Sequence, residues 1–149
     1  MSLDLTAKDF ILLLLDADNQ KPIEGNLFIQ KEMFLIVKEV FNDLEDELSF
    51  KAYNYGPYSQ PLVNLLEELE ENSLIEIDRF DDNNEYKITD RGRQELKNKT
   101  FSDEIKRKIN NLKVGSNKLG YKGLLRYVYF TYPEYTENSK IKNDIFGVE

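Results

Sequence analysis

The chain of 149 residues has no cysteine, no histidine and no tryptophan. Without cysteine there is no disulfide framework, no thiol nucleophile and no thiolate zinc site. Without histidine the commonest general base and metal ligand is missing as well, so most enzyme classes are disfavoured before any motif is read. Long apolar runs are lacking too. The longest covers residues 10–15, whereas a membrane-spanning helix needs about 20 apolar residues. The stretch before it contains Asp4 and Asp9 and no small-residue cleavage site follows, so it does not read as a secretory signal. These absences predict a cytoplasmic protein with no membrane partner.

What is present is a 40% hydrophobic, 12% aromatic chain of net charge −8. That is the make-up of one ordinary domain, or of one domain with an extension. The charge is unevenly spread. Residues 1–90 hold 7 basic and 21 acidic residues, a net of −14, while residues 91–149 hold 13 basic and 7 acidic residues, a net of +6. Such asymmetry suggests two surfaces with different partners, or two faces that attract each other, or simply solvated helix faces.

Thr6 followed by Asp9 resembles a capping box, and residues 10–15 continue as a helix apolar nearly all round. Asp16, Asn19, Pro22 and Gly25 break it. Ile29, Met33, Ile36, Val37 and Val40 then give an amphipathic stripe. Residues 43–47 read as an acidic loop and 50–55 as a short extended piece, stopped by Gly56-Pro57. Ser59 is the expected N-cap of the clearest helix, with Pro61 in its first turn and Leu62, Leu65, Leu66 and Leu69 at i, i+3, i+4 and i+7. A hairpin follows, with Ile75 and Ile77 on one strand, turn residues at 81–84, and Tyr86 and Ile88 on the return. Asp90 is expected to cap a helix carrying Leu96, and a further helix holds Ile105, Ile109 and Leu112. Residues 114–120 read as a loop before a last helix with Tyr121, Leu124, Leu125, Val128 and Tyr132, closed by Pro133. From Glu134 the pattern weakens to a short helix and a tail.

This order of helices, short strand and hairpin is the winged-helix plan, and agreement of several local signals counts for more than any one. The segment Tyr55-Gly56-Pro57-Tyr58-Ser59, the Leu-rich helix, the hydrophobic strand and Tyr86-Lys87-Ile88-Thr89-Asp90-Arg91-Gly92 together resemble the YwgA-type family of bacterial and archaeal proteins. More distantly they resemble the Panacea antitoxin domain. Residues 124–129 and 132–136 are similar to the C-terminal helices of YwgA-type proteins, so the resemblance spans residues 9–141. It implies a winged-helix fold and a regulatory or defence setting, and no particular activity. The expected fold class is therefore α+β, mainly α: a winged helix-turn-helix with a two-stranded wing and extra C-terminal helices. The winged-helix domain would cover residues 4–100. A C-terminal helical extension, 101–149, would pack on it or form a dimer interface.

Several short patterns dissolve on inspection. Asp16-Ala17-Asp18-Asn19 opens like a calcium loop, but the turn glycine and the bidentate glutamate are replaced by Lys21 and Leu27. Gly115 and Gly120 have the outer spacing of a phosphate loop, yet Tyr121-Lys122-Gly123 replaces its Lys-Ser/Thr pair. Asn98-Lys99-Thr100 is a glycosylation sequon only in a secreted chain. No nucleophile or base stands out, so no enzyme, metal or cofactor is expected.

Two functions remain. In a DNA-binding regulator, the third helix enters the major groove and the wing touches backbone. The contacting residues would be Tyr58, Ser59, Gln60 and Asn64, with Arg79 at the wing; Gln and Asn can pair bidentately with adenine. The fold favours this reading, but from Pro57 to Asp78 there are six acidic residues and no basic one, where DNA affinity rests on phosphate neutralisation. Lys106, Arg107, Lys108 and Lys113 would supply it only from beside the wing. In a protein-binding module, antitoxin-like or an adaptor of a defence system, Tyr53, Tyr55 and Tyr58 would be rigid anchors and the acidic half would steer a basic partner. The same tyrosines could equally pack on the first helices. One helix cannot bury both Tyr127 and Tyr129, so some C-terminal rings must cover another element or a partner, a homodimer being one option.

Overall fold

Two helices that are apolar on nearly every side occupy the centre. α1 (Ala7–Gln20) buries every residue from Phe10 to Leu15, and α2 (Asn26–Glu39) buries every residue from Ile29 to Val37. The computed structural model describes residues 4–81 and 83–136. Asp82 of the expected turn, and everything expected beyond Thr136, lie outside those residues. The Thr6 N–H donates to the Asp9 carboxylate at 2.9 Å, as the capping pattern suggests. α1 leaves helical angles at Ala17, and Asp18, Asn19 and Gln20 all have positive φ, the break foreseen at Asp16.

Between the helices lies β1 (Ile23–Glu24), two residues long and too short to leave an alternating pattern. The acidic stretch after α2 is not a loop. It forms a 3-10 turn (Asn42–Leu44) and one turn of helix, α3 (Glu45–Leu48), because Leu44 and Leu48 are buried and Glu47 accepts from the Ala7 N–H at 3.0 Å. Nor does Gly56-Pro57 end the extended piece. β2 (Lys51–Tyr53) turns through Asn54-Tyr55 into β3 (Gly56–Tyr58), with Ala52 opposite Pro57. Proline is tolerated here because a two-stranded ribbon is all edge.

α4 (Gln60–Glu71) begins where expected, with the Ser59 hydroxyl accepting from the Leu62 N–H at 3.0 Å. Leu62, Leu66 and Leu69 are buried, whereas Leu65 is only half-buried. β4 (Ile75–Phe80) and β5 (Asn83–Ile88) follow, and Phe80 pairs with Asn83, so the turn is shorter than the expected 81–84. β1 joins β5 through Ile23 opposite Tyr86, giving an antiparallel sheet of order β1-β5-β4. Ile23, Ile75, Ile77, Tyr86 and Ile88 face the core.

α5 (Asp90–Lys97) is capped by Thr89, not Asp90: the Thr89 hydroxyl accepts from the Gly92 N–H at 3.0 Å. α6 (Asp103–Thr131) corrects a second reading, since residues 114–119 are helical and only Gly120, at φ +73°, interrupts the helix. The helix persists because Lys113 and Ser116 are buried against its neighbours α1 and α2. Its second half adds Leu124, Leu125, Val128 and Tyr129 to the same core, and a 3-10 turn (Pro133–Tyr135) follows. Phe34 gathers Phe50, Tyr132 and Tyr135 edge-on at 4.7–5.4 Å, tying α2 to both the hairpin region and the end of the described chain. The architecture is mainly helical with a small antiparallel sheet, α+β in class.

Candidate functional site

The β2–β3 hairpin brings the three tyrosines singled out in the sequence to one place. Tyr53 and Tyr55 are 48% and 42% exposed, Tyr58 is half-buried, and the Tyr53 and Tyr58 rings lie 5.3 Å apart. With Leu27, Asn54 and Gly56 they rim a pocket of about 190 Å³, and Lys31 of α2 forms its floor. The Lys31 ammonium is fully buried and donates to the Pro57 carbonyl at 3.2 Å. Burial pushes its pKa down to about 7, because a low-dielectric surrounding disfavours the charged form.

The hairpin is held from below. The Gln30 side chain accepts from the Ser59 N–H at 2.8 Å and donates to the Ser59 carbonyl at 2.9 Å. Gly56 has φ +92°, and a Cβ there would lie 2.8 Å from Cε1 of the buried Tyr129, so this position needs glycine twice over. Tyr121 extends the aromatic rim. Its hydroxyl pKa is pushed up to about 12, chiefly by burial and then by the neighbouring Tyr129 and Tyr55. Beyond Leu27 a second depression of about 460 Å³ includes Phe28, Asn83 and Tyr121. The result is a continuous, rigidly backed surface of tyrosine rings and apolar side chains.

The residues proposed to read DNA are dispersed in role. Ser59 is fully buried, its hydroxyl donating to the Leu48 carbonyl while capping α4. Gln60 and Asn64 are exposed and hydrogen-bonded to each other at 3.2 Å. Arg79 clasps Glu70 through two hydrogen bonds of 2.8 and 3.0 Å, which hold the Glu70 carboxyl below its ordinary range. Around them stand Glu67, Glu68, Glu70, Glu71, Glu76 and Asp78, partly met by Lys8 on Glu68 and by Lys87 on Asp78 at 3.2 Å. Of the basic residues expected to offset them, Lys113 is buried, and Lys106, Arg107 and Lys108 ride on α6, which packs on α1 and α2.

A buried charge cluster was not legible as a site. The Lys113 ammonium donates to the Leu15 and Ala17 carbonyls at 3.1 and 2.8 Å, closing the C-terminus of α1, where a cation is favoured. Burial nevertheless pushes its pKa down to about 8. Glu32 is fully buried, and neither carboxylate oxygen has a hydrogen-bond partner among the described residues. Burial pushes its pKa up to about 8, against the pull of the Lys113 charge and the nearby Ser116 hydroxyl. The sequence signal is that Gln30-Lys31-Glu32 stands inside a mostly apolar stretch, between Leu27-Phe28-Ile29 and Met33-Phe34-Leu35-Ile36-Val37.

Among the described residues no group of three or more acidic side chains is placed to hold a metal ion, and no helix is long and apolar enough to cross a membrane. No family model matches the sequence, and no curated protein matches it.

Proposed function

We propose that this is a winged-helix regulatory protein of the cytoplasm that acts by binding another protein through the tyrosine-rimmed pocket. The helix–strand–helix order, the α4 helix ahead of the β4–β5 hairpin, and β1 paired to the hairpin's second strand support the winged-helix reading. The observation that carries the function is the set Tyr53, Tyr55 and Tyr58, held half out of solvent on a hairpin fixed by Gln30, Lys31 and Gly56. Rigid tyrosines lose little entropy on contact and are the residues most often found at the energetic centre of interfaces. The acidic surface around α4 steers a basic partner. The sequence resemblance to YwgA-type proteins and, more distantly, to the Panacea antitoxin domain implies a regulatory or defence setting, to which a protein-binding adaptor or neutraliser would belong.

The experiment is co-expression of the full chain with the products of neighbouring genes, followed by calorimetry on any complex. Tyr55→Ala or Tyr58→Ala should weaken it by more than about 1 kcal/mol. A complex indifferent to both changes would refute the assignment.

A second reading, duplex DNA, is favoured by one observation: Gln60 and Asn64 are exposed on the first turns of α4. It predicts binding that falls with salt at a log–log slope near −0.9 per neutralised phosphate. The carboxylates along α4 and β4 argue for no duplex binding near physiological salt. Phe130, Leu119 and Tyr127, 80%, 54% and 40% exposed on α6, are the residues through which a homodimer would form.

A further inference from the structure

We propose a second docking surface, separate from the tyrosine pocket: the groove between the end of α1, α5 and the start of α6 takes an acidic, amphipathic segment of a protein partner. The groove measures about 640 Å³. Four cations line it, Arg93 and Lys97 from α5, Lys99 from the link, and Lys106 from α6. Arg93 is engaged by Asp90 and Gln20, and Lys99 lies 3.8 Å from Asp9. Lys97 and Lys106 are exposed and make no ion pair among the described residues. In a chain of net charge −8, two uncompensated cations beside two partly compensated ones form a local field of the opposite sign to the whole.

The rest of the lining decides what that field attracts. Leu13, Leu96 and Phe101 make an apolar floor, and Asp16 places one carboxylate among the cations. A phosphodiester chain carries a charge at every residue, so it would meet Asp16 and leave the apolar floor without a match. An acidic helix with leucines on one face satisfies both features. Its glutamates three or four residues apart match the one-turn spacing of Arg93 and Lys97, and its apolar face covers Leu96, the half-buried member of the floor. The chain's own acidic helix is not the occupant, because α4 turns Leu62, Leu66 and Leu69 into its own core and has no free apolar face to lay in the groove.

The test uses the full chain and a fluorescein-labelled 14-residue peptide of repeating Glu-Glu-Leu-Leu, with a Glu/Gly peptide of equal charge and a duplex DNA of similar length as comparators, read by anisotropy. The amphipathic peptide should bind saturably and more tightly than either comparator. Lys97→Glu with Lys106→Glu should weaken it by roughly tenfold or more, as expected when like charges replace attractive ones at an interface. Tyr55→Ala should leave this binding unchanged, which separates the groove from the tyrosine pocket. Both lysines are exposed, so an unchanged far-ultraviolet spectrum and melting temperature certify the double variant. Absence of saturable peptide binding, tighter binding of the DNA, or equal affinity of the double variant each overturns the proposal.

Discussion

Glu32 offers the sharpest quantitative test of the interior. In an unfolded chain its carboxyl titrates near 4.5, whereas burial in α2 raises the folded value to about 8. Between those values the unfolded state releases a proton that the folded state keeps, so the contribution of this group is complete below pH 4.5 and is lost as pH rises through 8. Each unit corresponds to about 1.4 kcal/mol, which makes the loss about 3 kcal/mol at pH 7. The lysines do not confuse this window. Lys31 and Lys113 have folded values lowered to about 7 and about 8, so they gain stability only as pH rises past those values toward 10.5. Glu32→Gln keeps the shape and removes the titration; at pH 7 it takes away little charge, because the native carboxyl is already largely protonated. Relative to the parent, the variant should gain about 2–3 kcal/mol on going from pH 5 to pH 7. The assay is urea unfolding at pH 5, 6 and 7 followed by far-ultraviolet dichroism, since the chain has no tryptophan. Parallel pH profiles for parent and variant would refute the reasoning, whatever the constant offset between them.

Gly56→Ala should lower stability by about 1–3 kcal/mol in thermal melts, since a positive φ and a steric approach to Tyr129 act together; an unchanged melting temperature would show that the hairpin is free to move off α6. Removing everything after Gly120 should leave an aggregating protein, because Leu124, Leu125, Val128 and Tyr129 fill the shared core and their loss exposes its apolar walls. A soluble truncated chain of unchanged melting behaviour, seen by light scattering and calorimetry, would mean that α6 is not integral to the fold.

What could be read from the sequence was governed by length and by period. α4 declared itself fully, because Ser59, Pro61 and four leucines at helical spacing agree, and the β4–β5 strands followed from Ile75, Ile77, Tyr86 and Ile88. β1 could not be read: two residues carry no period, and Ile23 becomes a strand only by pairing with Tyr86 sixty-odd residues away. The misread stretches share one cause. Acidic residues 43–47 and the glycine-bearing 114–119 look like loops locally, but Leu44, Leu48, Lys113 and Ser116 are drawn inward by neighbours that local pattern does not contain.

The candidate site shows the same division. Tyr53, Tyr55 and Tyr58 could be named as a cluster because they surround a turn, while the residue beneath them could not. Lys31 lies off the stripe of Ile29, Met33, Ile36 and Val37, so helical period alone gives it no buried place. It is buried because α2 is covered on every side, by α6 on one flank and by the β2–β3 hairpin on another. A helix so enclosed has no solvent face to which a charge can be assigned, so its polar residues must find partners in the interior or titrate. Gln30 found the Ser59 backbone, Lys31 the Pro57 carbonyl, and Glu32, with no hydrogen-bond partner among the described residues, holds its proton instead. The three consecutive residues thereby take three different solutions to one problem, and the first two are what hold the tyrosines where a partner can reach them.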